Sequence, residues 1–382
     1  MKKVGIVTYY SIYNYGSVLQ AYALNKTVLK LGFSPVLIDH ANMNKKWNRK
    51  IKRKVLLNRF LQLALHPSCL YDTINIKKAG KRDIIIRSKK QEKKFDVFLK
   101  HYFTFPETDY TIDSNYIAFI TGSDQVWQFS LPGLNYLFFL RFCPQNKRIS
   151  YAASFGSISV PSYNRKILHK YLNEFNRISV REKIGCSIVN AYSSKKAKHV
   201  LDPVLLVEAN FWKDLSIAYP IDNKYIVAYF LSDPSNYLPE IRRTAQYYNA
   251  KILWISTGYE KAMKDDIIAE PSPREFLSII NNAKYVCTDS LHGTEFSMVF
   301  HKQFTTFHRK YSIVPEQHSR IESLLNMTNT CNRLFYDKDT FKKESINYTN
   351  LDKIISKKRN ESLRFLIDSL NIIEDDENGR VV

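Results

Sequence analysis

The feature that most narrows what this chain can fold into is a repeated unit: a short β-branched or aromatic run that stops at small polar residues and is followed by helical spacing. Val4 to Tyr10 runs into Ser11-Ile12-Tyr13-Asn14-Tyr15-Gly16-Ser17. From Ser17 to Leu31 the apolar positions Val18, Leu19, Tyr22, Val28 and Leu29 recur at helical spacing, and Gly32 suits the helix end. Pro35 then precedes a strand at Val36-Leu37-Ile38-Asp39. Strand, loop, helix and strand make a βαβ unit, which demands a parallel sheet and places the first loop at the ligand-binding edge. There is no G-x-G-x-x-G, so a dinucleotide site is disfavoured. Asn14 and Gln20 are placed either to hydrogen-bond a hydroxylated ligand or to serve as a helix cap and a solvent-facing helix residue.

The unit recurs. Tyr116 to Ile120 empties into Thr121-Gly122-Ser123-Asp124-Gln125, and Arg148 to Ala153 into Ser154-Phe155-Gly156. Ile178 to Val180 ends in Arg181-Glu182-Lys183, and His199 to Leu201 in Asp202-Pro203. Residues 207–224 carry Pro220 and few strand signals and read as a linker. A second set follows: strand Tyr225 to Leu231, helix Pro239 to Tyr248, strand Lys251 to Ile255, a helix opened by the capping-box pattern Ser272-Pro273-Arg274-Glu275, and strand Gln303 to Phe307. The expected organisation is α/β: a Rossmann-like domain over 1–206 and a second over 225–345, facing each other across a cleft. A basic, mostly helical insertion hangs from the first domain at about 42–106, and 346–374 form a C-terminal helix packing back on the first domain.

The candidate chemistry gathers around Lys284 to Phe304. Tyr285 to Thr288 reads as a strand, Asp289, Ser290 and Gly293 as a turn, and Thr294 to His301 as a helix whose free N–H groups and positive dipole end favour an anion. His292 stands at that mouth. Arg181, His292 and Arg320 are basic groups at cleft positions; arginine offers bidentate donors to carboxylate or phosphate, and histidine moves protons near neutral pH. Asp289 and His292 have no recognised metal spacing and no visible third ligand, so no metal is expected.

Charge adds one signal. The chain carries +21, and between Asn44 and Lys100 there are 18 Lys or Arg against 4 Asp or Glu, a balance of +14. This is either a solvated basic face or a surface for anionic membrane, where each basic residue near the headgroups adds on the order of 1 kcal/mol. No nucleic-acid fold motif accompanies it, so no nucleic-acid partner is expected. Without a long apolar run or a signal-peptide pattern, the chain is expected to be cytoplasmic, at most peripheral at the inner membrane face. The widely spaced cysteines point to neither disulfides nor structural zinc.

Several segments, in order, resemble the polysaccharide pyruvyl transferase family: VGIVTYYSIYNYGSVLQAYAL, ITGSDQVW, YAASFG, SVREK, VLDPVLL, DSLHGTEFSMVF and HSRIESLL. The resemblance spans roughly Val4 to Leu325. It implies a glycosyltransferase-B-like pair of Rossmann domains, phosphoenolpyruvate as donor with no separate cofactor, and two hydroxyls of a sugar in a surface or capsular polysaccharide precursor as acceptor. The product is then a pyruvate ketal, with phosphate released. Carried across, the family's active-site histidine falls on His292 and its strand-end arginine on Arg181. Where the family often has R-L-H, this chain has Ser290-Leu291-His292, so another basic group must supply the charge, and Arg320 is the candidate. In this scheme His292 delivers a proton, and Arg181 and Arg320, with Ser290 and Gly293, hold the donor's anionic groups. Asp124 is the base, and Asn14, Gln20 and Ser123 orient the acceptor. On charge alone the acceptor is expected to be a lipid-linked oligosaccharide. The alternative is a glycosyltransferase of the same architecture using a nucleotide sugar.

Overall fold

The computed structural model describes residues 1–39, 85–103, 115–129, 134–309, 319–336 and 344–377, with scattered helical positions between 57 and 74. Two parallel sheets organise the chain. The first contains β1 (Lys3–Val7), β2 (Ser34–Leu37), β3 (Tyr116–Thr121), β4 (Arg148–Ala153), β5 (Arg177–Val180) and β6 (Ala197–His199), in the spatial order β2-β1-β3-β4-β5-β6. The second contains β7 (Tyr225–Tyr229), β8 (Lys251–Ile255), β9 (Ile267–Ala269), β10 (Val286–Thr288) and β11 (Phe304–Thr306), in the order β11-β10-β7-β8-β9. Every strand pairing is parallel. Strand order reverses between β1 and β3 in one sheet and between β7 and β10 in the other, and open α/β sheets bind ligands beyond the carboxyl ends at such reversals. These are two Rossmann-like lobes facing each other.

The helices used below are α1 (Tyr15–Lys30), α2 (Lys89–Tyr102), α3 (Ser162–Asn173), α4 (Lys183–Tyr192), α5 (Ala209–Leu215), α6 (Leu238–Tyr247), α7 (Pro273–Asn282), α8 (Leu291–Val299), α9 (Ser319–Met327) and α10 (Tyr348–Glu377). Helices α1 and α8 follow the central strands β1 and β10. All nine residues of α8 are buried, as are most of α1. A helix buried on all sides lies inside a core, not on a surface. One apolar cluster runs from Val4, Tyr15 and Leu19 through Trp212 to Phe276 and Phe296, so the lobes share a core. Tyr15 stacks on Phe276 with centroids 4.5 Å apart and donates its hydroxyl to Pro271 O at 2.7 Å. The opposite faces of the two sheets carry their own clusters.

Two segments differ from a simple two-lobe layout. The stretch 207–224 contains α5, whose fully buried Trp212 meets the Phe296 ring edge-on at 5.0 Å and donates its indole N–H to Val204 O at 3.2 Å. Most of the basic insertion lies outside the described residues. Its last part does not hang from the first lobe: α2 packs Phe98 against Tyr22 of α1, while Lys94 pairs with Glu275 of α7 at 2.9 Å. Helix α10 returns to the first lobe, where Ser362 Oγ accepts from Leu201 N and Arg359 Nε donates to Leu205 O at 2.9 Å. No helix among the described residues is long and apolar enough to cross a membrane.

Because Trp212 ties both lobes to one core, Trp212→Ala should cost about 3–5 kcal/mol. Denaturant unfolding followed separately by probes in each lobe should show both midpoints falling together. A shift confined to one lobe would contradict a shared core.

Candidate active site

The site assembles where the first turns of α1 and α8 meet. The β1–α1 loop ends at Asn14, which caps α1 by accepting from Ser17 N at 3.3 Å, leaving Tyr15, Gly16 and Ser17 in the first turn. Across the lobes, Ser290 caps α8 by accepting from Gly293 N at 3.3 Å. The helix thus begins at Leu291 and not at Thr294, which puts His292 inside the first turn. Gly16 faces the His292 imidazole so closely that any Cβ there would collide with it. Gly293 is required similarly, since a Cβ would fall 2.6 Å from Thr288 Oγ1.

The carboxyl edge of the first sheet supplies the partners of His292. Asp202 Oδ2 lies 3.6 Å from His292 Nε2, accepts from Arg181 Nη1 at 2.7 Å, and accepts from Ser123 Oγ at 2.8 Å; Val204 N donates to Oδ1 at 3.0 Å. Burial pushes the Asp202 carboxyl up, but His292, Arg181 and the Val204 N–H outweigh it and hold the group well below the usual carboxylate range. Asp124 sits at φ 67, in the left-handed region, held there by Ser154 N and Val126 N donating to its carbonyl at 3.0 and 2.8 Å. Its Oδ2 accepts from Ser17 Oγ at 2.6 Å and its Oδ1 is 3.6 Å from Arg181 Nη2. Burial raises this carboxyl too, and Arg181, His292, Ser17 and Arg320 together lower it further. Arg320, on α9, therefore joins the cluster; α9 is docked to the first lobe by Ser323 Oγ, which accepts from Lys183 N at 3.2 Å.

Glu295 completes the group. It lies three residues after His292 on α8 and is buried, and burial together with the Asp202 charge pushes its carboxyl well above the usual range. Among the described residues, Arg181 Nη2, His292 Nε2 and Glu295 Oε2 are buried without a hydrogen-bond partner. Arg181 Nη2 and His292 Nε2 keep 3.6 Å ion contacts to Asp124 and Asp202, and all three atoms lie in a water-poor space, where charged contacts are strong. Asp202, His292 and Glu295 also offer ligand atoms within 4.8 Å of one another, a spacing that could hold a metal ion. A cation there would share Asp202 Oδ2 with the Arg181 guanidinium, which disfavours it electrostatically.

Of the residues singled out from sequence, His292, Arg181, Asp124, Ser123 and Arg320 are brought together here. Ser290 and Gly293 shape the α8 start that presents His292. Asn14 is a half-buried cap. Gln20 is not solvent-facing: fully buried, its amide nitrogen donates to Thr8 Oγ1 and Ser17 O, both at 2.9 Å, and braces the β1–α1 turn. Asp289 points away from His292, accepting from Leu231 N at 2.7 Å and Ser232 Oγ at 2.6 Å. Sequence reading missed Gly16, Ser17, Asp202 and Glu295 as site residues.

A family model for polysaccharide pyruvyl transferase matches residues 14–310, taking in every strand of both sheets except β1 and every member of the cluster except Arg320. The chain belongs to the polysaccharide pyruvyl transferase family. Membership makes it a transferase acting on polysaccharide. None of the curated proteins matches the chain. Among solved structures it is similar to the UDP-GlcNAc 2-epimerase from Neisseria meningitidis bound to UDP-GlcNAc, with 10% identity over 97% of this chain and 99% of that one and a TM-score of 0.45. It is also similar to the UDP-GlcNAc 2-epimerase from Methanocaldococcus jannaschii, with 13% identity, 93% and 92% coverage and a TM-score of 0.41. The glycotransferase of kitacinnamycin gives 9% identity, 99% and 98% coverage and a TM-score of 0.41.

The raised Glu295 carboxyl sets a pH dependence. With its folded pKa above the ordinary 4.5, the folded chain keeps a proton that the unfolded chain releases. The stability this contributes is full below about that pH and declines as pH rises toward the folded value. Glu295→Gln keeps a neutral side chain, so its melting temperature should gain on the parent's on going from about pH 5 to about pH 8. An equal difference at both pH values would mean the carboxyl is ionised throughout.

Proposed function

We propose that this transferase moves the pyruvyl group of phosphoenolpyruvate onto two hydroxyls of a sugar in a surface or capsular polysaccharide precursor, forming a pyruvate ketal. The observation that carries the reading is His292 of one lobe seated 3.6 Å from Asp202 of the other, on the same carboxylate oxygen that Arg181 holds at 2.7 Å. That arrangement combines a proton-carrying group with a fixed cation that an anionic donor can meet.

The protonated His292 imidazole, its charge balanced by Asp202, gives its proton to the terminal carbon of the enol phosphate. The carbon–carbon π pair forms the new C–H bond and leaves an oxocarbenium centre at C2. A first sugar hydroxyl adds there and passes its proton to Asp124, which hands it to the departing phosphate as the C2–O bond breaks. The second hydroxyl closes the ketal and returns a proton to His292, so hydrogen phosphate is the only other product. Arg181 Nη2 and Arg320 face the donor's carboxylate and phosphate. The positive balance of +14 between Asn44 and Lys100 suits approach to anionic headgroups and a lipid-linked acceptor at the inner membrane face.

His292→Ala should abolish acceptor-dependent phosphate release from phosphoenolpyruvate, given the 10²–10⁴-fold effects of general acids. Turnover above about a tenth of the parent's would remove His292 from that role. The same assay run with nucleotide sugars in place of phosphoenolpyruvate should give no transfer. Gly16→Ala, which pushes the imidazole aside, should lower kcat at least about tenfold, with circular dichroism unchanged. Full activity in that variant would show that the Gly16 contact does not position His292.

A further inference from the structure

The β1–α1 turn that sets Gly16 against His292 is held from outside its own lobe. Tyr13, within that turn, has φ 47, in the left-handed region that a bulky side chain adopts only where its surroundings impose it. Its carbonyl accepts from Nε of Arg87, and its hydroxyl donates to Asp96 Oδ1 at 2.8 Å. Two residues on, the Tyr15 ring lies under the same guanidinium, whose carbon stands 4.9 Å from the ring centre. The Tyr15 hydroxyl accepts from Gln91 Nε2 at 2.8 Å while donating to Pro271 O. The residues on either side of the Asn14 cap are thus both gripped by the segment 87–96.

The same segment grips the second lobe. Arg87 Nη1 donates to Ser256 O at 3.0 Å, just past the end of β8, and Ile86 N donates to Thr257 O at 3.0 Å. The next residue, Gly258, has φ 88, and a Cβ there would fall 2.9 Å from the Ile86 Cβ, so this approach needs glycine. One guanidinium therefore joins a carbonyl of the first lobe to a carbonyl of the second, through N–H groups fixed in one plane. Its contacts among the described residues are those two backbone oxygens and the faces of Tyr15 and Phe95. That is the bonding of a brace, where an arginine kept for its charge would meet a carboxylate.

We propose that Arg87 is a positioning residue for His292: it fixes the left-handed turn at Tyr13 against the Ser256 loop and so seats Gly16 on the imidazole. The Gly16 backbone packs against the ring whose Nε2 stands 3.6 Å from Asp202. If the turn relaxes toward an ordinary φ, Gly16 moves relative to α8, and a displacement of about 1 Å can cost on the order of 10²-fold in rate. One of the 18 basic residues between Asn44 and Lys100 then serves the cleft and not a solvated face. The effect on turnover rests on the reaction proposed above; the seating of the imidazole does not.

The test compares the full chain with Arg87→Met and Arg87→Lys. It reads kcat and KM for phosphoenolpyruvate, and the His292 ring resonances of histidine-labelled protein, assigned with His292→Ala. Both variants lose the planar pair of donors, and lysine keeps the charge. Each should lower kcat at least about tenfold with KM within about threefold, and each should shift the His292 resonances. Arg87→Lys is the milder change and decides the matter if Arg87→Met does not fold. Glycine takes φ 47 without being held, so the kcat loss from Arg87→Met should shrink at least about threefold in a Tyr13→Gly background. An undiminished loss in that background overturns the proposal, as does a raised KM with kcat unchanged. Shifted ring resonances in a chain that never turns over phosphoenolpyruvate support the positioning while refuting the reaction. Turnover with Arg87→Lys matching the parent in rate and resonances does the reverse.

Discussion

The contact between the Gly16 backbone and the His292 ring is the constraint on which the rest depends. It brings the central strand–helix units of the two lobes together at their first turns, so the imidazole comes from one lobe and its carboxylate from the other. Neither lobe contains the site alone. The shared apolar core through Tyr15, Trp212, Phe276 and Phe296 keeps the helices in that relation. At this point stability and chemistry draw on the same packing.

The polar island inside that core is electrostatically expensive, and its arrangement shows how the cost is met. Arg181 lies against Asp202, Asp124 and Glu182 at once, so no one of these carboxylates is buried as an isolated charge. Removing one partner of such a buried pair typically costs about 3–5 kcal/mol, because the other charge is left uncompensated. Burial and the Asp202 charge push the Glu295 carboxyl well above the usual range instead. One carboxyl raised stands close to two held low, Asp202 and Asp124, a separation produced by surroundings alone.

Much of this was legible in the chain because the strand-then-turn repeat is a local signal. Arg181 follows β5 directly, and Asp124 and His292 come within four residues of the ends of β3 and β10, so the carboxyl edges of the two facing sheets gather them. What escaped was what depends on the third dimension. Asp202 read as an ordinary turn residue before Pro203, because nothing in sequence says that Arg181 and His292 converge on it. Glu295 escaped through a helix start set at Thr294; moving it to Leu291 puts His292 and Glu295 one turn apart on one face. Gln20 misled because α1 is buried all round, so its polar positions do not mark a solvent face. The insertion read as an appendage because it interrupts the strand–helix rhythm, yet α2 buries Phe95, Phe98 and Leu99 and touches both α1 and α7.

The return of α10 to the first sheet has a mechanical consequence. The chain crosses from the first lobe to the second through α5 and comes back to seat Leu366, Leu370 and Ile373 in the first. A chain that leaves one lobe and returns to it tethers the second lobe twice, so the imidazole and the carboxylate it meets are kept at high effective concentration for each other.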